Sequence, residues 1–206
     1  MAHFDGKAAT WDDDLGHIER AKVIAKKLIK AIGNKKIKTA LEYGSGTGQL
    51  SFEMKDNIPQ ITLMDESGKM TEVTIKKCKH QGVSNLHPIQ YDLLTDPLPK
   101  ERYDLIFSLL TLHHIENIEA IFEKFKALLN TGGLLAIIDL EKEDGSFHDY
   151  EFHGHLGFDK NELEQIISAA GLKPRHYEVC YTIEKEMEDG ELRRYPLFLL
   201  TAEKMV

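Results

Sequence analysis

The sequence contains few cysteines, and their arrangement excludes two common ways of stabilising a chain. Only Cys78 and Cys180 occur, with no C-x-x-C pair, so neither a disulfide framework nor a cysteine-rich zinc site is expected. N-x-S/T acceptor sites are also absent, and no apolar run approaches the roughly 20 residues of a membrane helix. Residues 1–6 lack the basic and apolar regions of a signal peptide. We therefore expect a cytoplasmic protein with no membrane partner.

Basic residues are outnumbered by acidic ones. The chain has 26 Lys and Arg against 34 Asp and Glu, a formal net charge of −8. Because nucleic-acid binding relies on clustered Lys and Arg, this balance argues against nucleic-acid binding as the main role of the chain. The 206 residues show no fixed repeat and no Gly/Pro/Ser-rich linker, which favours one domain over residues 1–206.

Short apolar runs alternate with helical patterns along the chain. The apolar runs predict strands at residues 39–43, 60–64, 86–90, 103–109, 134–140, 173–183 and 195–204. Amphipathic spacing predicts helices at residues 18–32, 49–55, 69–80, 118–129 and 159–170. Strands separated by helices form parallel βαβ units, whereas the last two strands are separated only by a charged segment, 184–194, interpreted as a solvated loop. The predicted fold is α/β: a doubly wound, mostly parallel seven-stranded sheet with an antiparallel C-terminal hairpin.

A glycine-rich turn follows the first predicted strand. Residues 42–48 read E-Y-G-S-G-T-G and lead into a helix. Glycines permit positive φ and close approach of a ligand, and the amides at a helix start accept polar or anionic groups. Gln49 stands where the dinucleotide motif G-x-G-x-x-G needs its third glycine, and no P-loop is present. The turn predicts a ligand site, and it disfavours a nicotinamide cofactor.

Three acidic residues follow or end three successive strands. Glu42, Asp65 and Asp92 lie at predicted carboxyl ends, which meet at one edge of a parallel sheet, where ligands bind. An acid after the second strand can accept from ribose hydroxyls. The arrangement suits a ligand with a ribose, an amine-bearing ring and a positive charge.

These motifs resemble class I S-adenosylmethionine-dependent methyltransferases over nearly the whole chain. The glycine-rich turn is similar to the first motif of the family, and M-D-E-S at 64–67 to its ribose-binding motif. L-H-H-I at 112–115 and L-N-T-G-G-L-L at 129–135 resemble the segments that follow the fourth strand and enter the fifth. The resemblance implies a Rossmann-like fold and S-adenosylmethionine as cofactor, with S-adenosylhomocysteine as product.

The same resemblance implies roles for individual residues. Glu42 would lie near the methionine ammonium and Asp65 would hold the ribose hydroxyls, while Asp92 and Leu93 would contact adenine. The full set of expected cofactor-binding residues is Trp11, Glu42, Tyr43, Gly44, Ser45, Gly46, Thr47, Gly48, Asp65, Glu66, Ser67, Met70, Asp92, Leu93, Leu109 and His113.

The N-terminal segment carries the pattern F-D-x-x-A-x-x-W-D, with Phe4 and the single tryptophan, Trp11. It is interpreted either as a helix packed on the domain or, from the resemblance, as a lid over the cofactor. This divides the chain into an N-terminal helical lid, 1–35, and a Rossmann-like core, 36–206. The acidic run at 12–14 is interpreted as a solvated cluster that starts a helix.

Histidines are the candidate catalytic groups, because they titrate near neutral pH. His113, after the fourth strand, and His153, in a segment that also holds His148 and His155, are predicted as catalytic residues. The spacing of that segment is not H-E-x-x-H, so no metal site is predicted.

The predicted function is transfer of the sulfonium methyl group to a small-molecule acceptor by in-line displacement. A non-catalytic cofactor-binding regulator and, less favoured, a nicotinamide-dependent oxidoreductase are the alternatives. Methylation of nucleic acid or protein is weakened by the acidic balance, and the oligomeric state stays open.

Overall fold

The computed structural model describes residues 2–187 and 190–205, with side chains from residue 4 onward. Two short N-terminal elements come first: helix α1 (Ala2–Lys7) and a 3-10 helix (Ala8–Asp13). Helix α2 (Leu15–Ile32) follows, and the Asp14 side chain caps it by accepting from the Gly16 N–H at 2.7 Å. Ser, Asp and Asn side chains at this position satisfy amides that have no partner within the helix. The start of α2 is therefore determined by its own cap.

The described residues form one seven-stranded sheet flanked by helices. Its strands are β1 (Thr39–Tyr43), β2 (Gln60–Asp65), β3 (Leu86–Gln90), β4 (Tyr103–Leu109), β5 (Leu129–Leu140), β6 (Leu172–Glu186) and β7 (Leu192–Lys204). The remaining helices are α3 (Gln49–Met54), α4 (Gly68–Gln81), α5 (Ile118–Leu128) and α6 (Lys160–Ala169). The strand order is β3-β2-β1-β4-β5-β7-β6, and only β7 runs antiparallel to its neighbours β5 and β6. The predicted fold class is confirmed.

The C-terminal hairpin is longer than the sequence predicted. The sequence predicts a solvated loop at 184–194, but β6 and β7 continue through most of this segment and pair Glu184 with Arg194 and Glu186 with Leu192. The Arg194 Nε atom donates to Glu184 at 3.0 Å across the two strands. Opposite charges facing each other favour strand pairing, so a charged composition did not mark a loop here.

Strand β5 also begins earlier than predicted. The amphipathic spacing predicts Leu129 at the end of the preceding helix. In the structure, Leu129 is the first residue of β5 and pairs with Tyr103 of β4. A register shift after Tyr103 then brings Leu134 opposite Leu105. The hydrophobic pattern does not distinguish an apolar residue that ends a helix from one that begins a strand, which explains why the predicted start of β5 is too late.

Two apolar layers cover the two faces of the sheet. One is built around Phe122 and Phe125 of α5, and the other around α2, α3 and the opposite faces of the strands. Helix α2 contributes four buried residues, Ala21, Ile24, Ala25 and Leu28. Although the sequence assigned this helix to a lid, its apolar face is part of the core. No helix in the described ranges is long and apolar enough to cross a membrane.

Candidate functional site

The glycine-rich turn links β1 to α3 with three glycines at positive φ. The φ angles of Gly44, Gly46 and Gly48 are 67°, 53° and 76°, values that L side chains rarely adopt. A Cβ atom on Gly44 would lie 2.2 Å from Cγ2 of Thr111, and one on Gly48 would lie 2.6 Å from Cδ2 of Leu63. A Cβ atom on Gly46 would meet no heavy atom of the described residues within 4 Å. The outer glycines are therefore packed tightly, whereas the space over Gly46 is open to a ligand.

Asp65 connects this turn to the start of α4. The Gly46 N–H donates to Oδ2 of Asp65 at 2.7 Å, and the Ser67 N–H donates to Oδ1 at 2.8 Å. Burial raises the pKa of Asp65. A carboxylate offers about four acceptor positions, so these two hydrogen bonds orient the group and leave capacity for ligand hydroxyls.

The residues after Asp65 have different surroundings. Glu66 is exposed, whereas Ser67 and Met70 are buried. The Met70 N–H donates to Oγ of Ser67 at 3.1 Å, which caps α4. Of these three residues, Glu66 alone presents its side chain to solvent.

Glu42 is buried under the turn rather than exposed to the cleft. Its Oε2 atom accepts from the Ser51 N–H at 3.2 Å and from the Ser51 hydroxyl. Burial raises the pKa of Glu42 to about 8, against the hydrogen bonds from Ser51, which lower it. The neighbouring Tyr43 directs its ring into the core, with its centroid 5.2 Å from that of Phe125. Glu42 thus ties β1 to α3, a partnership that the sequence did not indicate.

Asp92 follows β3 and folds back on its own turn. Its two carboxylate oxygens accept from the Leu94 N–H at 2.9 Å and the Thr95 hydroxyl at 2.7 Å. Burial raises the pKa of Asp92, but these hydrogen bonds outweigh it and bring the pKa below its ordinary value. Leu93 is fully buried in the core. The turn at the edge of the predicted adenine site is therefore held by its own hydrogen bonds.

The chain leaves β4 in a strained conformation. Leu109 is half-buried at the strand end, and Leu110 has φ of 52°, the only non-glycine residue at positive φ within the described part of the chain. The Leu110 N–H donates to the Ile138 carbonyl at 2.8 Å. Strain of this kind occurs often at functional sites. A leucine carries no sequence signal for this conformation, and sequence reasoning missed it.

The N-terminal segment docks on the same edge through two aspartates. Asp12 accepts from Thr47 at 2.5 Å, from Gln49 at 2.9 Å and from Nζ of Lys77 at 2.8 Å. Burial raises the pKa of Asp12, but the hydrogen bonds from these three partners together lower it by more, so the net shift of the pKa is downward. Asp5 accepts from the Ser67 hydroxyl at 2.5 Å.

These contacts correct the interpretation of the acidic run at 12–14. Asp13 and Asp14 are exposed, and Asp14 starts α2 as predicted. Asp12, however, contacts the glycine-rich turn and α4 instead of solvent. Trp11 is half-buried, and its ring lies 4.7 Å from His17 and 6.1 Å from Phe4 between centroids. The segment is packed on the domain over the expected cofactor site.

His113 lies at the carboxyl ends of β4 and β5 and is fully enclosed. Its Nδ1 atom is 2.6 Å from Oδ1 of Asp139, a buried residue of β5. The His113 backbone N–H donates to Oδ2 of the same carboxylate at 3.3 Å. Asp139 therefore holds both the ring and the backbone of His113. Sequence reasoning missed Asp139 because it lies inside an apolar strand pattern.

The other histidines separate into two groups. One ring nitrogen from each of His113, His114 and His148 lies within 4.8 Å of the others. His153 is instead 82% exposed, with Glu151 3.9 Å from its ring. The Nε2 atom of His155 lies 3.0 Å from the carbonyl oxygen of Ile115. The structure thus brings the first three together and does not bring His153 to them.

Comparison with known proteins gives the family. The profile of a family described as "Methyltransferase domain" matches residues 17–177. An "Uncharacterized methyltransferase" of Anoxybacillus flavithermus is 28% identical over 143 residues, 66% of this chain and 65% of that protein. The malonyl-[acyl-carrier protein] O-methyltransferase of Xylella fastidiosa is 32% identical over 106 residues, 50% of this chain and 35% of that protein.

A solved structure supports the fold. A S-adenosylmethionine-dependent methyltransferase from Aquifex aeolicus superposes with a TM-score of 0.71 at 21% identity, covering 98% of both chains. The two curated relatives, by contrast, are matched over less than two thirds of their own length. Because the family profile covers well over half of the residues, the chain belongs to the methyltransferase-domain family.

Proposed function

We propose that the chain binds S-adenosylmethionine along the carboxyl edge of β1, β2 and β3 and methylates a small-molecule acceptor. The observation that carries this proposal is the Asp65 carboxylate, held by the N–H groups of Gly46 and Ser67 beside an open glycine. An oriented acid next to a turn without side-chain obstruction fits a ribose and its attached sulfonium side chain. A nicotinamide cofactor fits less well, since a pyrophosphate is repelled by acids at this edge.

The residues nearest the turn have distinct proposed roles. The backbone of residues 44–48 borders the ligand, and its closest approach is at the open Gly46, because the N–H groups of Gly44 and Ser45 already donate to the Met64 carbonyl. Asp65 accepts from the ribose hydroxyls, and Asp92 borders the adenine. Tyr43 and Met70 have their side chains in the core, so any contribution from them comes through the backbone. Glu42 acts on the methionine end through the position of α3, which its bonds to Ser51 hold.

His113 is the proposed base for an acceptor that must lose a proton. When bound, S-adenosylmethionine supplies an electrophilic methyl group for in-line displacement. Asp139 next to Nδ1 favours the tautomer with the proton on Nδ1, which leaves Nε2 of His113 able to accept a proton. The N-terminal segment, through Trp11 and Phe4, excludes water from this edge. His153, as an exposed residue, contacts substrate only if its loop closes.

The proposed acceptor is a small molecule rather than a nucleic acid. The formal net charge of −8 opposes binding of a phosphate backbone. The name of the relative from Xylella fastidiosa refers to an O-methyltransferase acting on a carrier-bound malonyl group. This name supports a small organic group as the methyl acceptor of this chain.

Thermal unfolding with candidate ligands tests the cofactor. A ligand at 100 times its Kd stabilises the folded protein by about 2.7 kcal/mol, so S-adenosylmethionine and S-adenosylhomocysteine are expected to raise Tm and NAD is not. Asp65→Asn is expected to weaken S-adenosylhomocysteine binding at least tenfold in calorimetry, because one ribose acceptor is lost. Asp56→Asn is the matched control, since Asp56 is an exposed acid in the loop before β2.

Two results would overturn the proposal. One is stabilisation by NAD without stabilisation by either sulfur ligand. The other is an Asp65→Asn variant that binds S-adenosylhomocysteine as tightly as the Asp56→Asn control. Turnover with a panel of small hydroxyl, amine and thiol acceptors then separates an enzyme from a protein that only binds the cofactor.

A further inference from the structure

We infer that His113, His114 and His148 form a binding site for one divalent transition-metal ion, with Asp139 orienting His113. A ring nitrogen of each histidine lies within 4.8 Å of the other two. Zinc–nitrogen bonds of about 2.0–2.1 Å in a tetrahedral site place ligand nitrogens about 3.3 Å apart. Binding of an ion would require rotation of the two half-buried rings, His114 and His148.

Asp139 provides the partner that metal-bound histidines commonly have. Metal ligands of this type usually place their second ring nitrogen against a carboxylate, which determines the tautomer and ring orientation. Here Oδ1 of Asp139 lies 2.6 Å from Nδ1 of His113, so Nε2 is the nitrogen left for the ion. The carboxylate is fully buried, and its negative charge compensates part of the charge of a cation.

The loop that carries His148 is fastened beside His113. The His155 N–H donates to the His113 carbonyl at 2.8 Å, and a Cβ atom on Gly154 would lie 2.2 Å from that carbonyl oxygen. The His148 ring stacks on Phe152 with centroids 3.8 Å apart and an interplanar angle of 27°. These contacts keep the loop that carries the third ligand beside His113 before any ion binds. Glycine at 154 is required for the close approach.

The donor set indicates the class of ion. Three imidazole nitrogens suit Zn²⁺, Co²⁺, Ni²⁺ or Cu²⁺, whereas Mg²⁺ and Ca²⁺ prefer oxygen ligands. Three protein ligands with a fourth position open is also the arrangement of catalytic zinc sites. The sequence did not indicate this site, because two ligands lie in one turn and the third lies in a distant loop.

The position of the cluster suggests what the ion does, and this step rests on the proposed function. An ion held by these three histidines would lie at the carboxyl ends of β4 and β5, next to the edge proposed for S-adenosylmethionine. It would bind a hydroxyl or thiol of the acceptor and lower its pKa, with the released proton passing to water. His113 would then be a metal ligand. It would not need to act as the base, which is its proposed role in the absence of a metal ion.

Metal binding to the full-length protein tests the site. Protein treated with a chelator and dialysed is titrated with Zn²⁺ by calorimetry and with Co²⁺ by visible absorption. We expect one ion per chain and the d–d bands of a four-coordinate Co²⁺ site. His148→Ala is expected to weaken Zn²⁺ binding at least 100-fold, and Asp139→Asn 10- to 100-fold.

His153→Ala is the matched control, because His153 is an exposed histidine of the same loop and its loss is expected to leave Zn²⁺ affinity unchanged. The inference is overturned if the unaltered protein shows no saturable Zn²⁺ or Co²⁺ binding, or if His148→Ala binds as the control does. The Tm shift with S-adenosylhomocysteine is measured on the same metal-free samples. A shift without metal binding refutes the metal site alone, and metal binding without a shift refutes the proposed cofactor alone.

Discussion

At the scale of single residues, Glu42 makes the stability of the fold depend on pH. Burial raises its pKa from an ordinary value of 4.5 to about 8, so the folded protein holds this carboxyl group neutral near pH 7 while the unfolded chain ionises it. A group with a raised pKa contributes stability that is fully present below the unfolded pKa. That contribution is lost as pH rises through the folded pKa. The relevant window runs from about pH 4.5 to about pH 8.

Glu42→Gln is expected to remove this dependence, because glutamine stays neutral and still accepts from Ser51. The free energy of unfolding of the unaltered protein falls by up to about 1.4 kcal/mol per pH unit within the window from this group, and the variant lacks that slope. Urea unfolding at pH 5, 7 and 9 measures it. Glu53→Gln, at an exposed acid of the same helix α3, is the control. Identical slopes for the two variants would contradict the assignment.

Some residues of the candidate site could be predicted from the sequence and others could not, for physical reasons. Asp65 was predicted because the end of an apolar strand is visible in the sequence. Asp139 was not, since nothing in an apolar run shows that one polar member faces a histidine. Likewise, the φ of Leu110 and the partner of Glu42 depend on packing between elements that are distant in sequence.

At the scale of elements, the N-terminal segment is attached to the site by Asp12. One carboxylate joins Thr47 in the glycine-rich turn to Lys77 in α4. Because the pKa of Asp12 is lowered from 3.8, its contribution is present above that pH and is lost as pH falls through the lower folded value. The sequence shows three adjacent aspartates and cannot distinguish which one docks, since that depends on where α2 begins.

Asp12→Ala is expected to loosen this attachment. Loss of hydrogen bonds to one charged and two neutral partners lowers the free energy of opening residues 4–13 by on the order of 1–3 kcal/mol. Hydrogen exchange of the amides of residues 4–13 measures the opening. Asp13→Ala is the matched control, because the neighbouring aspartate is exposed and its removal leaves protection unchanged. Equal protection in both variants would show that Asp12 does not hold the segment.

At the scale of the whole molecule, we propose that the boundary between lid and core lies after residue 13 rather than after residue 35. The sequence placed it after residue 35, because an amphipathic helix near a terminus has the same periodicity whether it covers a cleft or a sheet. The structure buries Ile24 and Leu28 of α2 against the strands. Among residues 4–13, by contrast, only Ala8 is buried. The mostly parallel sheet and its antiparallel C-terminal hairpin were predictable because alternating helices and strands permit few topologies, whereas the strand order itself was not predicted.

Two truncations test this boundary. Deletion of residues 2–13 removes Ala8 as the one buried side chain among residues 4–13, so the protein is expected to unfold cooperatively in urea with nearly unchanged stability. Deletion of residues 2–32 also uncovers one face of the sheet. Fully burying a side chain such as Ile or Leu contributes about 1.5–3 kcal/mol, and Ile24 and Leu28 together therefore account for about 3–6 kcal/mol. Total stabilities are about 5–15 kcal/mol, so the longer deletion is expected to lack a cooperative transition by circular dichroism. A cooperative transition in the longer deletion, with a midpoint near that of the shorter one, would instead assign α2 to the lid.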